Sequence, residues 1–337
     1  MIVQAMGARV TQDHHENSDR NVTRSKSHVL VTGGAGFIGS HLVSALEAQG
    51  HTVTVLDNFE PSYDPKQKEQ NLSDCAARVI RGDILDANAV KEALHGVDVV
   101  VHLAAKAGVR QSIANPLEYE EVNVAGTIRV LEGMRAAGCN RFVFASSSSV
   151  YGNRTEGPAH EGLNADIPVS PYAASKRAGE LFCRAAHESW GVQVTALRIF
   201  TVYGPRQRPT MAISKFLDLA GRGLSLPMYG DGTSMRDYTW IHDVVAGFMA
   251  AVDRPLPYGL FNIGTGRPVQ LAELIAMVGQ VVGKTPVVER LGVQLGDVPF
   301  THADISLAKS QLGWQPSMAL RKGLEETYQW HKQRQSV

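Results

Sequence analysis

Residues 28–39 read His28-Val29-Leu30-Val31-Thr32-Gly33-Gly34-Ala35-Gly36-Phe37-Ile38-Gly39. Val29 to Val31 is a short apolar run that stops at glycines, and Phe37, Ile38, Leu42, Val43 and Leu46 then recur at helical spacing as far as Gly50. The stretch is therefore a strand, a tight turn and a helix. Its glycines fall as both GxxGxxG and GxGxxG, a pattern that permits positive φ, lets backbone amides approach a pyrophosphate and packs the helix closely on a sheet. Such a motif alone is a weak sign, but here an acid, Asp57, also closes the next strand (Val53 to Leu56). A carboxylate there accepts hydrogen bonds from a ribose diol and repels a 2′-phosphate, which favours NAD over NADP. The expected cofactor contacts are Gly33, Gly36, Phe37, Ile38, Gly39, Asp57 and the adjoining Asn58.

Outward from this unit the same grammar repeats. Val79-Ile80 and Val97 to Leu103 are strand candidates with a short helix, Ala87 to Leu94, between them. A long helix is expected over Pro116 to Ala137, then a strand at Arg141 to Ala145, a helix over Tyr172 to Ser189 and a strand at Val192 to Phe200. Continuous rather than alternating apolar strands, separated by helices, imply an α/β fold with a parallel doubly wound sheet and right-handed crossovers. Beyond Gly204 the punctuation by Pro205, Pro209, Gly221, Gly223, Pro227, Gly230 and Gly232 suits a smaller, less regular lobe. Helices are expected there over His242 to Val252, Gln270 to Val282 and Leu320 to Lys332, with a strand at Leu260 to Ile263. The expected division is a disordered tail over 1–27, a cofactor domain over 28–203 and a second lobe over 204–337, interwoven with the first near 236–264.

Composition narrows the classes. Hydrophobic residues at 44% and charged residues at 20% are ordinary globular usage, so the chain should bury a proper core. Lys plus Arg (33) cancels Asp plus Glu (33), which leaves no field to attract nucleic acid or a membrane surface. No apolar run approaches the roughly 20 residues of a membrane span, and no signal pattern opens the chain. Cys75, Cys139 and Cys183 lie far apart without CxxC spacing, so neither a disulfide framework nor a metal site is expected, and the cytoplasm is the expected compartment. His14 and His15, neighbours on the tail, offer no closed coordination shell.

Chemistry is suggested by two further stretches. Tyr172-Ala173-Ala174-Ser175-Lys176 places a phenol and an ammonium at i and i+4 on one helix face, either as a surface pair or as a catalytic one. Tyrosine titrates near ~10 and is a poor base unless cations stabilise its phenolate, which Lys176 and an oxidised nicotinamide would do. Ser146-Ser147-Ser148-Ser149 follows a strand whose C-terminal end faces the same crevice, so a hydroxyl there can bridge substrate and Tyr172. Asp83-Ile84 can flank an adenine or simply cap a turn, and the small residues of Leu103-Ala104-Ala105 would let a cofactor lie against the backbone.

With these residues in view, TGGAGFIG, HLAAKAGVR, SSSSVYG, YAASK and RIFTVYGPRQRP resemble the extended short-chain dehydrogenase/reductases that act on nucleotide sugars, over about residues 28 to 330. Gly108-Val109-Arg110, Phe200 to Pro205 with Arg208-Pro209, and Gly296-Asp297-Val298-Pro299 with Thr301 are similar more narrowly to UDP-glucuronate 4-epimerases. That resemblance implies a Rossmann domain holding NAD, a C-terminal lobe gripping a UDP-sugar, and a homodimer through the helices near 116–137 and 172–189. It implies Tyr172 as base, Lys176 as its partner, Ser147 on the sugar 4-hydroxyl with Ser148 beside it, and Asn123 near the cofactor. Thr201 and Arg208 would hold a sugar carboxylate, Arg236 the diphosphate, and Arg110 and Asp297 the nucleotide end. The chain departs from the pattern at Lys106, where Gln is usual, and at Thr210, where Asp is usual.

The implied activity is 4-epimerisation of UDP-glucuronate to UDP-galacturonate through a 4-keto sugar. Related 4,6-dehydratases carry an Asp-Glu pair, and UDP-glucuronate decarboxylases a Glu, where this chain has Ser148 and Ser149. A 4-epimerase of neutral UDP-hexoses or UDP-N-acetylhexosamines is the nearer rival. A non-catalytic NAD sensor is disfavoured by the intact Tyr172 and Lys176.

Overall fold

The structure is a computed structural model that describes residues 26–154, 157–294 and 296–335. Apart from Lys26 and Ser27, the expected tail, with His14 and His15, lies outside the described residues. The first part of the chain runs β1 (His28–Thr32), α1 (Phe37–Ala48), β2 (Thr52–Asp57), α2 (Pro65–Asn71), β3 (Arg78–Arg81), α3 (Ala87–Ala93), β4 (Val99–His102), α4 (Val109–Ala114), α5 (Pro116–Glu120), α6 (Gly126–Ala137), β5 (Arg141–Ser147), α7 (Pro171–Trp190) and β6 (Gln193–Ile199). The remainder runs β7 (Thr201–Tyr203), α8 (Ala212–Gly221), β8 (Leu226–Tyr229), β9 (Met235–Arg236), β10 (Tyr238–Trp240), α9 (Ile241–Asp253), β11 (Tyr258–Ile263), β12 (Val269–Gln270), α10 (Leu271–Val282), β13 (Val288–Leu291) and α11 (Leu320–Gln335).

Seven parallel strands form one sheet in the order β11-β6-β5-β4-β1-β2-β3, a Rossmann-type arrangement whose strand order reverses between β1 and β4. The apolar strands read as continuous because both faces are covered, yet the pleat still sorts them. Val29, Val31, Val99 and Val101 pack with Leu42, Leu46, Val244 and Phe248 of α1 and α9, while Leu30, Val100, Phe142 and Phe144 pack with Val130, Leu131, Met134 and Cys183 of α6 and α7. The seventh strand, β11, reaches the sheet from the C-terminal part of the chain and pairs with β6 from Tyr258↔Val194 to Ile263↔Ile199. Short pairs, β10 with β7, β12 with β9 and β13 with β8, build the rest of that part.

The helical stretch expected over 116–137 is continuous, with α5 passing into α6 through a π-helical turn at Glu121–Ala125. An extra residue per turn leaves the apolar spacing on either side legible while re-aiming Asn123 inward. Beyond Gly204 the chain also forms a ten-residue helix, α8, which the glycine and proline punctuation around it concealed.

Candidate active site

A cavity of about 530 Å³ opens at the C-terminal ends of the strands, and nearly every residue singled out from sequence lines it. At one end is the β1–α1 turn. Gly33 has φ +71°, and a Cβ there would stand 2.7 Å from the Ala104 amide nitrogen. At Gly39 a Cβ would run into the Gly33 carbonyl oxygen, so α1 packs this closely only with glycine. Gly36 caps α1 without a side-chain hydrogen bond, and Gly36, Phe37 and Ile38 line the cavity, so the first amides of the helix face it as an anion site. Asp57 ends β2, buried, accepting from the Ala35 amide at 3.0 Å and the Phe59 amide at 2.8 Å. Asn58 donates to Asp83 at 2.7 Å, and Asp83, which lines the cavity, also caps the following turn by accepting from the Leu85 amide at 2.9 Å. Ile84, Leu103, Ala104 and Ala105 complete this wall. A glycine cradle, an uncapped helix end and a ribose-height carboxylate fit a dinucleotide.

Next along the cavity, β5 and α7 bring Ser147, Tyr172 and Lys176 together. Ser170 caps α7 by accepting from Ala173 N at 3.1 Å, with Pro171 at the first helical position, which fixes where the helix begins and hence which face Tyr172 and Lys176 share. Lys176 is buried and donates to the Ala145 carbonyl at 2.8 Å, and burial pulls its ammonium down to about 8. Burial raises the Tyr172 phenol above its usual value, while the Ser147 hydroxyl and the Arg208 charge work the other way. Ser147 accepts from the Ser149 amide at 3.2 Å in the 3₁₀ turn Ser148–Tyr151, which also sets Ser148 in the wall. One turn beyond Lys176, buried Glu180 accepts from Ser146 at 2.5 Å and forms a two-pronged pair with Arg198 at 2.8 and 2.7 Å, locking the end of β5 to α7. Asn123 does not line the cavity. It stands behind the wall, accepting from the Lys106 amide at 2.7 Å and donating to the Lys106 carbonyl at 2.9 Å and Ser175 at 2.9 Å.

The far wall comes from the C-terminal half. Thr201 opens β7, and Arg208 lies on the loop after it. Among the described residues the Arg208 guanidinium donates to the Ala107 carbonyl at 3.4 Å and to Met211 Sδ at 3.8 Å, and no carboxylate pairs with it. Arg236 lines the cavity from β9, bonded to its neighbour's carbonyl, Met235 O, at 2.9 Å, and its burial pulls the guanidinium below its usual value. Arg110, at the rim rather than in the wall, pairs with Asp297 at 2.8 Å and stacks over Tyr229 at 4.6 Å.

Sequence reasoning missed the segment after β2. Glu60, Ser62 and Tyr63 on the loop and Lys68 on α2 all line the cavity, and no periodicity marks them. It also missed what fixes Arg236: buried Asp237 accepts from Thr265 N (2.7 Å), Thr265 Oγ1 (2.6 Å), Gly266 N (2.9 Å) and Ala303 N (3.1 Å), joining three segments far apart in sequence.

The family model described as NAD dependent epimerase/dehydratase family matches residues 29–264. A UDP-glucuronate 4-epimerase of Thermodesulfobacterium geofontis (strain OPF15) is 37% identical over 313 residues, covering 91% of this chain and 96% of that protein. The crystal structure of UDP-glucuronic acid 4-epimerase from Bacillus cereus, in complex with UDP-glucuronic acid and NAD, superposes with a TM-score of 0.86 at 35% identity, covering 91% of this chain and 99% of that one. UDP-glucose 4-epimerase from Thermotoga maritima with UDP-glucose superposes at a TM-score of 0.83 and 33% identity, over 91% and 99% of the two chains. Fold alone therefore does not choose the sugar.

Proposed function

Because the chain belongs to the NAD dependent epimerase/dehydratase family, we propose that it interconverts UDP-glucuronate and UDP-galacturonate with bound NAD. When bound, NAD supplies reversible hydride acceptance at C4 of the sugar. The observation that carries the uronate reading is Arg208, a guanidinium in the wall with no carboxylate partner among the described residues, close enough for its charge to act on Tyr172.

Tyr172 takes the proton of the 4-hydroxyl and later gives one back, so no second base is required. Burial raises its phenol, which keeps the proton in place between turnovers and makes proton removal depend on cationic surroundings such as Arg208. Ser147 orients the hydroxyl, and Lys176, anchored on Ala145, presents its ammonium from the same helix face. Asp57, Asn58, Asp83 and the α1 turn hold the cofactor, while Arg236 holds the diphosphate and Asp297, paired with Arg110, the uridine ribose. A 4-keto glucuronate is a β-keto acid, prone to lose carbon dioxide, so its carboxylate must be restrained. Thr201 and Arg208 do this through hydroxyl and charge-assisted hydrogen bonds. Dehydration would need an acid and a base at the end of β5, and that end carries hydroxyls. The cavity's carboxylates, Asp57, Glu60, Asp83 and Asp297, come from the loops around β2 and β3 and from the C-terminal half.

Purified protein incubated with either uronate and no reductant should yield the other, read by chromatography. Absence of interconversion overturns the reading. Exposed Leu117, Leu181 and Phe182 on α5 and α7 support a homodimer across these helices, which sedimentation of a Leu181→Glu variant tests. Three free thiols, Cys75, Cys139 and Cys183, support a reducing, cytoplasmic setting. No helix among the described residues is long and apolar enough to cross a membrane.

A further inference from the structure

Lys106, one of the departures from the family pattern, sits on the loop after β4, and its backbone is clamped on both sides by the Asn123 amide. Its ammonium reaches Glu60 Oε1 at 2.9 Å on the loop after β2, and Glu118 Oε2 at 3.3 Å on α5. In the sheet β1 lies between β4 and β2, so a link from one loop to the other crosses the β1–α1 glycine turn. That turn is the anion site of the cofactor cleft, and both Lys106 and Glu60 line the cavity above it.

The loop carrying Glu60 is ordered to receive such a link. Glu60 N donates to Asn58 at 3.0 Å, Glu60 Oε2 accepts from Ser62 N at 3.0 Å, and the Glu60 carbonyl accepts from buried Lys68 at 2.9 Å. On the same loop the Tyr63 hydroxyl is buried at the cavity wall with no hydrogen-bond partner among the described residues. An unpartnered buried hydroxyl facing a cleft is a group awaiting a ligand's oxygen. Burial opposes ionisation of Glu60 most strongly, yet the hydrogen bonds from Lys106 and Ser62 together with the Lys106 charge outweigh it and hold the carboxyl below its usual value.

We propose that Lys106 and Glu60 form an ionic strap that holds the 58–64 loop down across the phosphates of bound NAD and slows its release. The proposal rests on the NAD-dependent reading. A cofactor restored at the end of each turnover has no need to leave, so slow release costs the enzyme nothing. The pair is 27% and 30% exposed, so solvent screening limits its effect to about fivefold.

The test is release of radiolabelled NAD from the loaded protein into excess unlabelled NAD. Lys106→Gln, which restores the residue usual in relatives, and Glu60→Gln should each release about fivefold faster at low salt. The double variant should be no faster than either single one, because both remove the same link. Raising salt should quicken release from the parent protein and change Lys106→Gln much less. Single variants that release NAD at the parent rate, or a double variant whose effects multiply, would overturn the strap. A parent protein that takes up no NAD would instead remove the functional reading beneath it.

Discussion

The two walls of the cavity are built differently. The wall of Ser147, Tyr172 and Lys176 stands on a seven-residue strand inside a seven-stranded sheet and on a 20-residue helix, joined by the Ser146–Glu180 hydrogen bond, with Glu180 paired in turn to Arg198 of β6. The wall of Thr201, Arg208 and Arg236 stands on strands of two and three residues and on a loop, held by a few single hydrogen bonds and by Asp237. Proton transfer tolerates little displacement, whereas a guanidinium can follow a carboxylate over a wider range. The proposed assignment therefore puts the chemistry where backbone is over-determined, and sugar choice where backbone is cheap to change.

If that division is right, Tyr172→Phe should lower turnover by ~10²–10⁴ while UDP-sugar affinity stays within about threefold. Near-native turnover would break the assignment of the base. The same wall should also be held at some expense of stability. Lys176 titrates at about 8 in the folded chain against 10.5 as its ordinary value. Below about pH 8 the fold therefore holds a buried ammonium against its preference, a penalty on the order of 3 kcal/mol that fades as pH rises from about 8 to 10.5. In the NAD-free protein, Lys176→Met should raise the melting temperature most near pH 7, with the gain shrinking towards pH 10. A gain independent of pH would contradict this.

On the other wall, Arg208→Ala should weaken UDP-glucuronate by about 10- to 100-fold and UDP-glucose far less, measured by calorimetry. Equal losses for the two sugars would show that Arg208 does not read the carboxylate and would favour the neutral-hexose reading. The smallest effect is expected at the rim. Arg110 and Asp297 are 42% and 35% exposed, so Arg110→Ala should raise KM by no more than about threefold and leave kcat unchanged. A large fall in kcat there would dissolve the distinction between the walls.

How much was legible follows the same line. The glycine turn, Asp57 and the Tyr172–Lys176 pair were readable because each sits at a fixed place in a periodic element, strand end, turn or one face of a helix, whereas the serine run was readable only as a place for a hydroxyl and Ser147 was singled out within it by resemblance. The alternation of β1 to β6 with helices settled the sheet for the same reason, since continuous apolar runs bounded by glycines have few other ways to bury themselves. Asn123 was readable as a position but not as a contact, because the π turn that aims it at Lys106 leaves the surrounding apolar spacing intact. Lys106 and Glu60 lie 46 positions apart, Arg208 and Ala107 lie 101 apart, and Asp237 and Ala303 lie 66 apart. Only the tertiary structure decided these contacts, because local sequence specifies dihedral preferences and burial within a turn or two of chain, whereas loops are brought together by the packing of the sheet and helices beneath them.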